Sequence, residues 1–99
     1  MARFDIYALP GADGYLVDCQ ADLFRDLKTR FVVPLLPDDS TPKPLPRLTP
    51  VITVKERPYV LATQLAASIS VRELGKVVGS VESHDAKILA AIDMLISGY

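Results

Sequence analysis

Between residues 37 and 50 the chain carries five of its eight prolines: Pro37, Pro42, Pro44, Pro46 and Pro50. Proline fixes φ and has no amide hydrogen to donate, so neither a helix interior nor a central strand can pass through this stretch. Regular structure must form on either side of it, in segments that are each too short to be a domain. The proline-rich segment therefore reads as a stiff, partly extended connection over the surface of one fold. With 99 residues, the expectation is a single domain, 1–99, around one core.

Both flanks carry strand patterns. Residues 3–8 alternate, with Phe4 and Ile6 on one face and Asp5 and Tyr7 on the other. The cluster Pro10-Gly11-Ala12-Asp13-Gly14 is a turn signal, and Tyr15-Leu16-Val17-Asp18-Cys19 reads as the returning strand. Next comes a polar patch from Gln20 to Lys28, out of which Leu23 and Phe24 stand. Arg30 to Leu36 is a β-branched run expected to be buried on both faces, with Pro34 at a bulge or an unpaired position. Beyond the prolines, Val51–Val54 and Tyr59–Ala62 flank Lys55-Glu56-Arg57-Pro58 as a second hairpin. In residues 63–81 strand and helix spacings compete, and a short strand followed by a helical turn is the reading. The closing segment is a helix with Ser83 as N-cap, Asp85 favouring the helix dipole and one apolar stripe of Ile88, Leu89, Ile92, Leu95 and Ile96. Strands followed by a closing helix predict an α+β fold with an antiparallel sheet.

The sequence offers little familiar chemistry. Eleven basic residues against twelve acidic ones leave no broad electrostatic capture of nucleic acid. Local runs such as Lys43, Arg47, Lys55 and Arg57 around Glu56, or Glu82, Asp85 and Asp93 around Lys87, read as solvated surface. The lone Cys19 excludes an internal disulfide and reads as a small buried hydrophobe. One histidine, His84, and one cysteine make a poor zinc site and no recognisable triad. Asp38 and Asp39 read as turn formers. Neither phosphate-binding glycine loops nor metalloprotease motifs occur. The start Met-Ala-Arg-Phe-Asp lacks a signal-peptide pattern, and no apolar run reaches membrane-spanning length, so a cytoplasmic protein without membrane contact is expected.

Several segments together carry a family resemblance. Tyr15-Leu16-Val17-Asp18-Cys19-Gln20-Ala21-Asp22 resembles the hydrophobic-Val-Asp-Val-Gln-Ser-Asp segment of the CcdB toxins of bacterial toxin–antitoxin systems. Arg30-Phe31-Val32-Val33-Pro34-Leu35 is similar to that family's Arg-Met-Val-Ile-Pro-Leu strand, and Leu48-Thr49-Pro50-Val51-Ile52 to its Leu-Tyr-Pro-Val-Val stretch. The closing helix matches to the final residue. The resemblance implies an SH3-like antiparallel barrel with a C-terminal helix, assembled as a homodimer. It also implies a function in plasmid maintenance: binding the A subunit of DNA gyrase by its dimerisation arm and trapping the cleaved-DNA complex. On the same footing, a CcdA-like antitoxin with a disordered tail would neutralise the toxin. DNA would be met only indirectly, through the antitoxin, in transcriptional autoregulation. Catalytic residues, cofactors and metals are not expected, and the protein is read as a binder rather than an enzyme.

The implied gyrase-contacting residues are Leu23, Phe24, Asp93, Ile96, Ser97, Gly98 and Tyr99. Leu23, Phe24 and Ile96 read equally well as core. Two positions depart from the family pattern. Its closing Trp-Gly-Ile is Ser97-Gly98-Tyr99 here, so the indole that stacks on an arginine of the target is replaced by a hydroxymethyl group. Its asparagine one turn earlier is Asp93. Two alternatives stand beside the gyrase reading: a protein that keeps the fold and antitoxin binding without poisoning gyrase, and a ribonuclease of the related MazF-like fold.

Overall fold

The computed structural model describes residues 2–38, 45 and 47–98. Seven strands lie among the described residues: β1 (Asp5–Ala8), β2 (Tyr15–Asp18), β3 (Thr29–Pro37), β4 (Val51–Val54), β5 (Arg57–Leu61), β6 (Ala67–Ser70) and β7 (Val77–Ser80). One helix, α1 (Asp85–Ser97), closes the chain. All pairings are antiparallel, in the order β4-β5-β3-β2-β1-β7, with β6 also paired to β3. The result is a curled sheet with a C-terminal helix, the α+β, SH3-like architecture expected from the sequence.

The curl originates in β3. Residues 29–32 pair with β6 and residues 35–37 with β5, while β2 runs along 32–35 on the other edge. Pro34 falls where β6 has ended and β5 has not begun, so its missing amide interrupts no ladder on that side. Its carbonyl is still used, accepting the amide of Ala62 at 2.8 Å. The strand predicted over 30–36 therefore exists with the proline at a break in pairing.

The two predicted hairpins also form. β1 and β2 meet through a turn in which Gly14, at φ +127°, lies so close to β3 that a Cβ would collide with the Leu35 carbonyl oxygen. β4 and β5 are joined by Lys55 and Glu56, both left-handed at φ 51° and 66°. That is the geometry a two-residue hairpin needs, reached here without glycine or asparagine.

Residues 63–81 hold the expected short strand and turn, β6 followed by a 3-10 turn at Val71–Glu73, but add a second strand, β7, that the sequence does not predict; another 3-10 turn, Thr63–Leu65, precedes β6. The helical spacing of Val71, Leu74, Val77 and Val78 is misleading because β7 pairs with β1 at the sheet edge, and tertiary pairing overrides local periodicity. Ser83 is not the helix cap. It lies inside a 3-10 turn, Glu82–His84, and α1 begins after His84.

The core joins Phe4, Ile6, Val17, Cys19, Val33, Leu35, Ile52, Val54, Tyr59, Leu61 and Val81 with Ile88 and Ala91 of α1. The predicted helix stripe is split along its length. Ile88 is buried and Leu89 and Ile92 are half-buried, but Leu95 and Ile96 are exposed. Half of the proline-rich connection, residues 39–44 and 46, lies outside the described residues. Among those described, no helix is long and apolar enough to cross a membrane.

Candidate partner-binding site

β2 ends at Asp18, and polar side chains organise the chain beyond it. The Asp18 carboxylate is fully buried against Arg30: Oδ2 accepts Nε at 2.8 Å and lies 2.7 Å from Nη2. Oδ1 accepts the amide of Gln20 at 3.1 Å. Burial raises the Asp18 pKa above the ordinary carboxylate value, and the Arg30 hydrogen bond opposes that rise without cancelling it. Burial also raises the Tyr7 phenol, with the Asp18 charge adding to it. The Cys19 thiol, buried in the core, is pushed up to about 12 by desolvation. It is a packing residue, as the sequence suggested.

From this anchored base the chain makes a 3-10 turn, Asp22–Phe24, in which no residue is buried. Leu23 is 84% exposed, Phe24 51% and, just beyond, Leu27 54%. The core alternative for Leu23 and Phe24 is therefore excluded.

The second group of expected site residues lies on the last turn of α1. Ile96 is 75% exposed, which excludes the core alternative for it too, and Asp93, Ser97 and Gly98 are also exposed. Gly98 ends the helix in a left-handed conformation at φ 83°, its amide donating to the Met94 carbonyl at 2.9 Å. Tyr99 lies outside the described residues. The expected site residues thus occupy two elements, both presenting apolar side chains that the core does not use. Leu45, Val51, Leu65 and Val77 are exposed as well, so exposure gains meaning here from the family resemblance that singles out these two elements.

His84 is half-buried at the start of α1, and among the described residues no group of three or more His, Cys, Asp and Glu could hold a metal. Sequence reasoning missed the polar scaffold of Gln20, Asp22 and Arg3 behind the exposed turn. The signal was present as polar residues at every second position, 18, 20 and 22.

Comparison with known proteins defines the class first. The fold superposes on an endoribonuclease in complex with its cognate antitoxin from a mycobacterial species, with a TM-score of 0.76 at 18% identity over 97% of this chain and 94% of that one. A second mycobacterial endoribonuclease gives 0.76 at 16% identity, over 97% and 90%. The Mycobacterium tuberculosis toxin MazF-mt6 gives 0.71 at 18%, over 93% of each chain. At these identities the likeness establishes the fold, which is one used by toxins. The CcdB protein family model matches residues 3–98, and the chain belongs to the CcdB family, a family of toxin–antitoxin toxins. No curated protein sequence matches it significantly.

One expectation is overturned by this result. The sequence reads as a binder rather than an enzyme, yet two of the solved neighbours on this fold are endoribonucleases. The exclusion rests on absent motifs and a single histidine. Phosphodiester cleavage needs proton transfer and charge stabilisation, which Arg, Asp, Thr and Tyr side chains can also supply.

Proposed function

We propose that this protein is the toxin of a CcdA/CcdB-type module, acting in the cytoplasm as a homodimer on the A subunit of DNA gyrase. Leu23 and Phe24, with Asp93, Ile96, Ser97 and Gly98 at the end of α1 and Tyr99 beyond it, make the contact. A cognate CcdA-like antitoxin relieves the toxicity. The observation that carries the reading is the exposure of Leu23 and Ile96, large aliphatic side chains at 84% and 75%. Covering each contributes about 1.5–3 kcal/mol to association. Family membership over residues 3–98 supports this choice of partner.

Ser97 sets the strength of the contact. It stands where the family resemblance places tryptophan, and it offers no ring face and little area. Binding therefore leans on the aliphatic residues. The test is trapping of cleaved DNA by purified gyrase in the presence of this protein. Cleavage complexes that form with the native chain, increase with Ser97→Trp and disappear with Ile96→Ser support the reading. Their absence with the native chain and with Ser97→Trp alike would sink it.

A second reading, an endoribonuclease, is favoured by the fold likeness to two mycobacterial endoribonucleases. Degradation of purified RNA by the isolated protein, with no effect on gyrase, would establish that reading instead.

A further inference from the structure

The Asp22–Phe24 turn raises a physical question. It carries no buried residue, and the apolar side chains around it point to solvent. Hydrophobic burial does not hold this turn.

Its own backbone bonds, the Phe24 amide to the Ala21 carbonyl at 3.0 Å and the Arg25 amide to the Asp22 carbonyl at 3.2 Å, are joined by side-chain hydrogen bonds from Gln20 and Asp22. Gln20 Oε1 accepts the Phe31 amide at 3.0 Å, and Gln20 Nε2 donates to the Phe24 carbonyl at 2.9 Å. One amide group therefore ties the far end of the turn to β3. Asp22 Oδ1 accepts the Arg3 amide at 2.8 Å, tying the near end to the segment before β1. Arg3 in turn donates through Nε to the Cys19 carbonyl at 3.4 Å and lies over the Phe4 ring at 5.1 Å. Phe4 is buried, sits at φ 71° and bonds to both flanks: its amide donates to the Asp18 carbonyl and its carbonyl accepts the Val81 amide. A bulky residue held in the left-handed region persists only where its surroundings over-determine it. The support under the turn is therefore stiff.

We propose that Gln20 and Asp22 are positioning residues that hold the Leu23–Phe24 turn in a binding-ready conformation. The inference rests on the reading that this turn contacts the gyrase A subunit. Fixing the turn before association removes an ordering cost that a loose loop would bear on binding.

The chemistry of each residue dictates the variants. Asp22→Ala removes the acceptor for the Arg3 amide, while Asp22→Asn keeps an oxygen there and restores the bond. Gln20→Glu keeps the acceptor for Phe31 but sets a carboxylate oxygen against the Phe24 carbonyl. It should therefore behave like Gln20→Ala.

The experiment uses the full-length protein, with hydrogen exchange read at residues 23–27 and affinity for the purified gyrase A subunit read by calorimetry. Exchange should rise at least about fivefold in Asp22→Ala, Gln20→Ala and Gln20→Glu and stay near native in Asp22→Asn, with thermal midpoints unchanged. Affinity should fall about three- to tenfold in the first three, the range a single hydrogen bond supports. In a Leu23→Ser background Asp22→Ala should add little further loss, because both act through one turn. Unchanged exchange, or full additivity with Leu23→Ser, would overturn the positioning role. If the native protein itself does not bind the A subunit, the proposed target falls, and the exchange data alone decide whether Gln20 and Asp22 hold the turn.

Discussion

The two exposed apolar patches are supported in different ways. The Leu23–Phe24 turn projects from a lattice of polar bonds rooted in a buried ion pair, Asp18–Arg30. Ile96 projects from the end of a helix whose packing thins beyond Ala91, its last fully buried residue, with Ile92 and Met94 half-buried. The helix's own hydrogen bonds and the Gly98 cap hold that turn, together with the half-buried Met94. Both patches have local backbone hydrogen bonds, and the first adds side-chain bonds to residues distant in sequence. On the proposed function, a partner would meet a preset surface at the first and an adjustable one at the second.

The largest break in this comparison comes from the root of the fixed patch. Arg30→Met leaves the Asp18 carboxylate buried without its counter-charge, and the expected loss is about 3–5 kcal/mol by denaturant unfolding. A double change of Asp18→Leu with Arg30→Met should recover much of that loss. Failure to recover would mean that the pair supplies more than mutual compensation.

The same pair gives a pH signature. The folded-state carboxyl of Asp18 titrates above its ordinary value, so between the two values the native state holds a proton that the unfolded chain has released. This group's contribution to stability is therefore greatest below the ordinary carboxylate range and declines as pH rises through the folded-state value. Asp18→Asn should flatten the pH dependence of unfolding over that window, and an unchanged slope would refute the assignment.

A smaller effect is expected at the adjustable patch. Gly98 sits at φ 83° with open space where a Cβ would go, so Gly98→Ala costs only the left-handed strain, about 1 kcal/mol. Because no core residue depends on the last turn, the thermal midpoint should move little while exchange at residues 94–98 rises. A large drop in midpoint would show that the helix end is packed after all.

The contrast also explains why some features are legible in the sequence and others are not. The two hairpins, the long β3 and the closing helix are readable because alternation, turn clusters and a periodic stripe are local signals. The exposed pair Leu23 and Phe24 is readable as apolar residues out of place in a polar patch, and the family resemblance gives them a meaning. β7 is not readable, because Val77-Val78-Gly79-Ser80 becomes a strand only by pairing with β1, some seventy residues earlier. The end of the stripe misleads for a related reason: periodicity shows which residues share a face, not how far the core extends beneath it. The scaffold of Gln20 and Asp22 is hidden because its partners, Phe31 and Arg3, are eleven and nineteen residues away. An enzyme is set aside on absent motifs, which report only familiar solutions, and endoribonucleases that share the fold remove the ground for that exclusion.

The finest test of the fixed patch uses a residue built into it. Cys19 lies between Asp18 and Gln20, its thiol in the core and its carbonyl held by Arg3. With its pKa pushed up to about 12, roughly one thiol in ten thousand is ionised at pH 8, and the sulfur is shielded as well. Alkylation in the native state should thus proceed only through opening, far more slowly than for a free thiol. If the lattice opens as part of global unfolding, the labelling rate will climb with denaturant as steeply as the unfolding equilibrium does. If the segment opens by itself, the rate will be nearly independent of denaturant and will increase in Asp22→Ala. The first outcome makes the 18–24 region part of the core; the second reduces it to a separately hinged loop, and the distinction from the helix end would dissolve.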